Sequence, residues 1–257
     1  MVRPDWPAVL LWVAAQVVVP LALRHYPAQP LHRLVPPAAA LLGAAHLLPR
    51  GVPSALLTLP WLALTLGLAM HARGVWPAER LARSAALVFL PVGAAWAAMS
   101  RADVTVLHFP SVIVQMTGLH FHYAGFALSV LASLLAERTR TPLDRAAAVA
   151  VVAGMPLVAA GITFWPLLEW LGAWFMAASA ALVGVRQVLL PGPLSARVLW
   201  TVSGLCLVGG MSLAVVYARQ EYLGLGNLGP MLRWHSTLNS LGFSLLGLLG
   251  WRCVRVS

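Results

Sequence analysis

Long uncharged blocks of apolar residues recur along the chain, and they limit the possible fold more than any other feature. A membrane-spanning helix needs about 20 largely apolar residues, because the hydrocarbon core is roughly 30 Å thick and each helical residue rises about 1.5 Å. The blocks predict an all-α, polytopic transmembrane helical bundle in a single membrane domain over residues 1–257. The nine predicted spans lie near residues 6–23, 34–48, 54–72, 82–100, 110–136, 146–165, 167–185, 198–218 and 231–251. The block at 34–48 is short and proline-rich, so eight full spans and one re-entrant segment are the alternative.

Composition supports a lipid environment. The 257 residues are 60% hydrophobic and 9% charged, whereas soluble domains are roughly 25% charged. All 17 basic residues are arginines and the formal charge is +10, but the arginines stand singly or in small groups between apolar blocks. That distribution is typical of membrane loops and argues against a nucleic-acid partner. The expected partner is the lipid bilayer.

The arginines also predict the orientation, because short basic loops stay in the cytoplasm. With nine spans, twelve arginines fall on one side of the membrane and five on the other. The C-terminus is on the arginine-rich side. We therefore expect a cytoplasmic C-terminus.

Polar side chains interrupt the fifth block, although residues 104–136 contain no Asp, Glu, Lys or Arg. Polar groups in hydrocarbon are costly unless they are paired or face a wet cavity, so each is a functional candidate. His120 and His122 point about 200° apart on a regular helix and cannot ligate one metal from it. The alternative is that both imidazoles only brace neighbouring helices. Further polar residues of this block are Gln115, Thr117 and Tyr123.

The last block supplies a second polar segment. His235 and Asn239 are four residues apart, so they share a helix face, and Trp234 precedes them. Glu169 begins the seventh block. The alternative functions are helix-to-helix hydrogen bonding for the amide and, for Glu169 and the loop residue Glu221, ion pairs with nearby arginines.

These residues predict one polar cavity in the outer half of the bilayer. The predicted catalytic residues are His120, His122, His235, Asn239 and Glu169. The predicted substrate contacts are Gln115, Thr117, Tyr123 and Trp234.

Two strings in these segments resemble the YndJ-like membrane proteins. The first is TGLHFHYAGF at residues 117–126. The second is MLRWH at 231–235, followed by Asn239, Gly242 and Phe243; the family usually has Gly where this chain has Ser236. The resemblance implies a polytopic bacterial protein, which places the chain in the bacterial inner membrane.

The string HFHY at 120–123 is also similar to the haem-ligating helix of cytochrome oxidase subunit I, where two histidines face two haems. The copper-binding pair of adjacent histidines and the preceding His-x-x-x-Tyr site are missing. A b-type haem stays an alternative, with His235 or His46 as the axial partner.

We expect an embedded acid–base enzyme of the isomerase or cyclase type that acts on a lipophilic small molecule. Histidines and carboxyl groups can add a proton at one atom and remove it at another. The sequence has no P-loop, dinucleotide-binding motif, nucleophile elbow or HExxH motif, so no cofactor and no metal is predicted. The alternatives are a transporter that uses the same residues, the haem protein, and a structural subunit. The sequence leaves the oligomeric state open.

The orientation leads to a testable prediction. Green fluorescent protein fused after Ser257 should fluoresce, and alkaline phosphatase fused there should be inactive, because the first folds in the cytoplasm and the second outside it. The same two reporters placed in the loop after residue 48 serve as the control and should give the reverse result. Active phosphatase at the C-terminus would contradict the orientation.

Overall fold

The chain is all-helical in the computed structural model, which describes residues 5–107, 109–225 and 227–254 and has no strand in them. This confirms the predicted all-α class. Nine helices follow one another: α1 Trp6–Leu23, α2 Val35–Ala45, α3 Val52–Ala69, α4 Ala78–Arg101, α5 Ser111–Thr139, α6 Pro142–Phe164, α7 Pro166–Val188, α8 Leu194–Tyr222 and α9 over residues 228–252. A 3₁₀ turn at Pro30–Leu34 leads into α2.

Seven of these helices are long and apolar enough to cross a membrane. The other two are α2 and α9. Helix α2 has 11 residues, or about 16 Å of rise, which is half the hydrocarbon thickness. Its shortness agrees with the re-entrant alternative for the second block. Helix α9 carries the polar run from His235 to Ser244, which lowers its hydropathy.

Local sequence signals define several helix ends. Asp5 caps α1 by accepting from the Ala8 amide at 2.9 Å, and Thr141 caps α6 by accepting from the Asp144 amide at 3.2 Å. Only Trp165 separates α6 from α7, which begins with Pro166. The two form a hairpin so tight that a Cβ on Gly161 would collide with the backbone of Glu169. The short connection at Trp165-Pro166 follows from this pair of residues.

The helices group into two compact units. The first unit comprises the described residues of Met1–Arg73 and Ser84–Ala127. The second comprises those of Gly74–Arg83 and Leu128–Ser257. Helices α4 and α5 thus contribute residues to both.

In the first unit, Arg101 at the end of α4 is buried. Its Nε donates to Ser54 Oγ at 2.6 Å and its Nη2 to the Leu48 carbonyl at 2.6 Å. Ser54 Oγ in turn donates to the Ala45 carbonyl at 2.8 Å. These bonds satisfy carbonyls at and just beyond the C-terminal end of α2, where a cation is also favoured by the helix dipole.

In the second unit, three ion pairs lie at the predicted cytoplasmic end. Asp144 is fully buried, and Arg186 binds it with two parallel bonds of 2.7 and 2.8 Å. Thr141 Oγ1 donates to the same carboxylate at 2.6 Å. The other pairs are Arg83 with Glu137 and Arg145 with Glu79. The Asp144–Arg186 pair ties the first turn of α6 to the last turn of α7.

Replacing Asp144 should therefore destabilise the protein. In Asp144→Asn, the buried side chain loses its charge and Arg186 loses its bidentate partner, so we expect a loss of about 3 kcal/mol. The measurement is thermal unfolding in detergent. Glu137→Gln is the matched control, because the Glu137–Arg83 pair is more exposed and should contribute less than about 1 kcal/mol. Equal unfolding midpoints for the two variants would contradict this assignment.

Candidate functional site

The two polar segments coincide with π-helical stretches. Residues Phe121–Ala127 of α5 and Met231–His235 and Leu238–Leu245 of α9 are π-helical. A fourth stretch, Ala14–Val18, lies in α1 and packs against the one in α5. In a π-turn each backbone bond reaches the fifth residue, and such turns are often found at functional sites. The strings HFHYAGF and MLRWH therefore mark irregular backbone as well as polar side chains.

His122 is held on both sides of its ring. The side chain has 0% exposure, its Nδ1 lies 2.7 Å from the Gly118 carbonyl, and Trp61 Nε1 lies 3.0 Å from its Nε2. An indole nitrogen only donates, so Nε2 accepts and Nδ1 carries the hydrogen that goes to Gly118. This arrangement fixes one neutral tautomer.

Glycines allow the close contact around His122. A Cβ on Gly93 of α4 would lie 2.7 Å from His122 Nδ1 and 3.0 Å from the Gly118 carbonyl oxygen. A Cβ on Gly118 would lie 3.1 Å from the Ala97 amide nitrogen. Helices α4 and α5 therefore meet backbone to backbone here, as small residues permit in membranes. Helix α5 has the largest buried share of the seven long apolar helices, 83% of its apolar stretch.

The remaining polar residues of α5 connect mainly to α1 or to their own helix. Tyr123 donates to the Leu10 carbonyl at 2.8 Å, and Gln115 Nε2 donates to Asp5 Oδ1 at 2.8 Å. Thr117 donates to its own helix at Ile113, and His120 Nδ1 lies 2.8 Å from the Met116 carbonyl. The substrate contacts predicted for Gln115, Thr117 and Tyr123 stay predictions.

In the second unit, His235 and Asn239 meet α8 at Gly210. His235 Nδ1 lies 2.8 Å from the Gly210 carbonyl. Asn239 Nδ2 donates to the His235 carbonyl at 3.0 Å, and a Cβ on Gly210 would lie 2.6 Å from that nitrogen. Asn239 Oδ1 is buried and has no hydrogen-bond partner among the described residues. The imidazole of His235 and the amide of Asn239 lie together on one helix face, as expected, and the Asn239 Oδ1 oxygen takes no part in this pairing.

Trp234 points away from these groups. It is 55% exposed, and the Arg233 guanidinium lies 5.1 Å from its ring centroid. A cation over an exposed indole is typical of an anchor at the membrane interface. Its predicted role in substrate binding stays a prediction.

Glu169 belongs to a cluster that also contains Glu221 and Tyr217. The charges of Glu169 and Glu221 act on one another, and Tyr217 interacts with both carboxylates. We call Glu169, Tyr217 and Glu221 the outer acid group. Tyr217 was missed in the sequence analysis, although Tyr217 lies four residues before Glu221 and this spacing places both side chains on one face of α8.

The ion pairs expected for Glu169 and Glu221 as an alternative are not found. Neither carboxylate forms a salt bridge with Arg219 or Arg233 in the described part of the chain. The other five acidic residues all have partners: Asp144, Glu79 and Glu137 pair with arginines, Asp103 lies 3.7 Å from Arg50, and Asp5 caps α1 and accepts from Gln115. Acidic residues on apolar helices usually have a basic partner, so two neighbouring acids without one are the most unusual feature of this unit.

The predicted catalytic residues are divided between the units. His120 and His122 lie in the first, and Glu169, His235 and Asn239 lie in the second. That all five line one cavity stays a prediction. No group of three or more His, Cys, Asp or Glu side chains arranged to hold a metal ion occurs in residues 5–107, 109–225 and 227–254.

Comparison with protein-family models gives a match over most of the chain. The family model described as YndJ-like protein matches residues 9–243. This range includes both polar segments and the outer acid group. Neither the curated proteins nor the solved structures contain a match.

The bond between Trp61 and His122 can be tested by substitution. Trp61→Phe removes the donor and leaves a buried imidazole nitrogen unsatisfied, which should cost about 1–3 kcal/mol beyond the loss of ring volume. Trp200→Phe is the matched control, because Trp200 is equally buried and its Nε1 has no partner among the described residues. Thermal unfolding in detergent measures both. A Trp61→Phe variant no less stable than Trp200→Phe would contradict the bond.

Proposed function

Because this chain belongs to the YndJ-like family of membrane proteins, we propose that it is an embedded enzyme that moves protons on a lipophilic substrate, and that its outer acid group performs this step. The observation that carries the proposal is the pair Glu169 and Glu221, which have no basic partner in the described chain. A carboxyl group that is not tied to an arginine is free to exchange its proton with a ligand.

The chemistry needs only proton transfer. One carboxylic acid donates a proton to an alkene carbon or an ether oxygen of the substrate, and the second carboxylate removes a proton from another atom. The product is an isomer or a ring-closed form of the substrate, and the proton balance is zero over the cycle. Tyr217 interacts with Glu221, and His235 and Asn239 of α9 offer further polar contacts where α9 meets α8 at Gly210.

The surroundings of Glu169 favour a lipid-soluble substrate. Phe164, Trp165 and Leu171 lie on the same hairpin and are exposed. In a membrane such side chains face the acyl chains, so a substrate can approach from the bilayer. This surface supports the proposed lipophilic substrate class, and the proton-only chemistry is compatible with the proposed isomerase or cyclase type.

A transporter is the second candidate. What supports it is the interruption of three helices, α1, α5 and α9, by π-helical turns, because broken helices often form the substrate site of transporters. An enzyme turns over its substrate in detergent, whereas a transporter gives flux only in sealed liposomes.

The geometry gives less support to the b-type haem alternative. Both ring nitrogens of His122 are engaged by Gly118 and Trp61. Iron ligation through Nε2 would require Trp61 to give up its acceptor. A Soret band in the purified protein would restore this alternative.

The proposal predicts the effect of removing one acid. Glu169→Gln keeps the side-chain volume but cannot exchange a proton, so the product should fall by about 10²-fold or more. The measurement is untargeted lipid profiling of a deletion strain restored with the wild type, with Glu169→Gln or with Glu137→Gln. Glu137→Gln is the control, since Glu137 pairs with Arg83 and does not belong to the outer acid group. A Glu169→Gln strain whose lipids match the wild type would contradict the proposal.

A further inference from the structure

Polar groups follow one face of α8 along most of its length. Ser203, Gly210, Tyr217 and Glu221 are separated by seven, seven and four residues, so they lie on the same side of a regular helix. From Ser203 to Glu221 the rise is about 27 Å, close to the thickness of the hydrocarbon core. The neighbours that meet this face are α7 and α9.

The first group on this face is at the predicted cytoplasmic end. Gln187 Nε2 in the last turn of α7 donates to Ser203 Oγ at 2.9 Å, and Ser203 Oγ donates to the Phe243 carbonyl of α9 at 2.9 Å. Gln187 and Ser203 are fully buried. Gln187 Oε1 has no hydrogen-bond partner among the described residues.

The second group is at Gly210, two turns further along. Gly210 has no side chain, which leaves room for Asn239 from α9. Here Asn239 Oδ1 is the second buried oxygen without a partner in the described chain. Asn239 and Phe243 are four residues apart on α9, so they continue the line between the first group and the second.

The third group is the outer acid group. Tyr217 and Glu221 are on α8, and Glu169 is on the adjoining helix α7. Glu221 is exposed, so this end of the face has access to solvent. The three groups place hydrogen-bonding atoms at the two ends and near the middle of one helix face.

The two unpartnered oxygens, Gln187 Oε1 and Asn239 Oδ1, point to water. Both are amide carbonyl oxygens, which accept hydrogen bonds and cannot donate them. A buried acceptor without a donor costs about 1–3 kcal/mol. Water is the donor that buried polar groups of this kind ordinarily bind, and each internal water needs two to four polar partners. Gln187, Ser203, Asn239 and the backbone carbonyls beside them provide such partners.

We propose that this face of α8 is a hydrated path that carries protons between the predicted cytoplasmic end and the outer acid group. A proton entering at Gln187 is accepted by a bound water, which releases another proton to the next water or side chain. At the outer end Glu221 or Glu169 accepts the proton and then releases it to solvent. The net result is one proton moved, with no oxidation and no bond broken in the protein. This function goes beyond the proposed enzyme, because it needs no organic substrate.

The test is proton flux into liposomes that contain the purified full-length protein and a trapped pH-sensitive dye. A potassium gradient with valinomycin supplies the driving voltage. We expect the wild type to exceed empty liposomes, and Gln187→Leu and Asn239→Leu to lose about tenfold or more of that flux, because an apolar side chain breaks the water chain. Wild-type flux equal to that of empty liposomes would overturn the path.

Two further variants guard against misfolding. Ser212→Ala is on an exposed face of α8, where Ser212 bonds only to Val208, and it should keep wild-type flux. Asn239→Ser can still bind water and should keep more flux than Asn239→Leu. If both leucine variants conduct like the wild type, the path is wrong. Loss of lipid product in Glu169→Gln without any wild-type flux would keep the proposed enzyme and overturn only the path.

Discussion

Hydrocarbon offers no hydrogen bonds, and this constraint decides how the polar residues of the chain are arranged. Most of them satisfy it locally: Thr117, Ser179 and Ser240 each donate to the carbonyl four residues earlier in their own helix. Others satisfy it with a specific partner on a second helix, as His122 does with Trp61. Several buried polar atoms have no partner in the described chain, among them Gln16 Oε1 in the first unit, and two of them in the second unit, Gln187 Oε1 and Asn239 Oδ1, carry the proposed proton path.

The π-helical stretches are a second consequence of the same constraint. A π-turn leaves carbonyls in positions that an α-helix does not use, and serines of α9 satisfy two of them by donating to the fifth residue back, Ser236 to Met231 and Ser244 to Asn239. Widened turns in α9 thus bring Asn239 to Gly210 and Phe243 to Ser203. The strings that resemble the YndJ-like family lie largely on these stretches.

Much of the fold followed from the apolar blocks, because the length and hydropathy of a span are properties of a local stretch of sequence. The sequence also predicted the shortness of the second block and, by the single residue between the sixth and seventh blocks, the tight hairpin at Trp165-Pro166. The π-helical register was not predicted, because the hydrophobic pattern of HFHYAGF does not distinguish a π-turn from an α-turn. The partner of His122 was equally hidden, since Trp61 is 61 residues away in the sequence.

Of the proposed site, Glu169, His235 and Asn239 were chosen from the sequence because each is a polar residue in an apolar block. Tyr217 was missed because tyrosines are common near span ends and need no special explanation there. For Glu221 the alternative was an ion pair with an arginine, because carboxylates in loops commonly form such pairs. Only the three-dimensional contacts show that Arg219 and Arg233 do not pair with it.

Both proposals require Glu169 and Glu221 to lie close together, and cross-linking measures whether they do. In a variant with Cys206 and Cys253 replaced by serine, Glu169→Cys and Glu221→Cys can be joined by a short bifunctional thiol reagent, and intact mass spectrometry counts the reagent molecules attached. If the two residues lie close together, we expect one bridging molecule per protein in the folded state and two singly attached molecules after unfolding. Two singly attached molecules in the folded protein would contradict it.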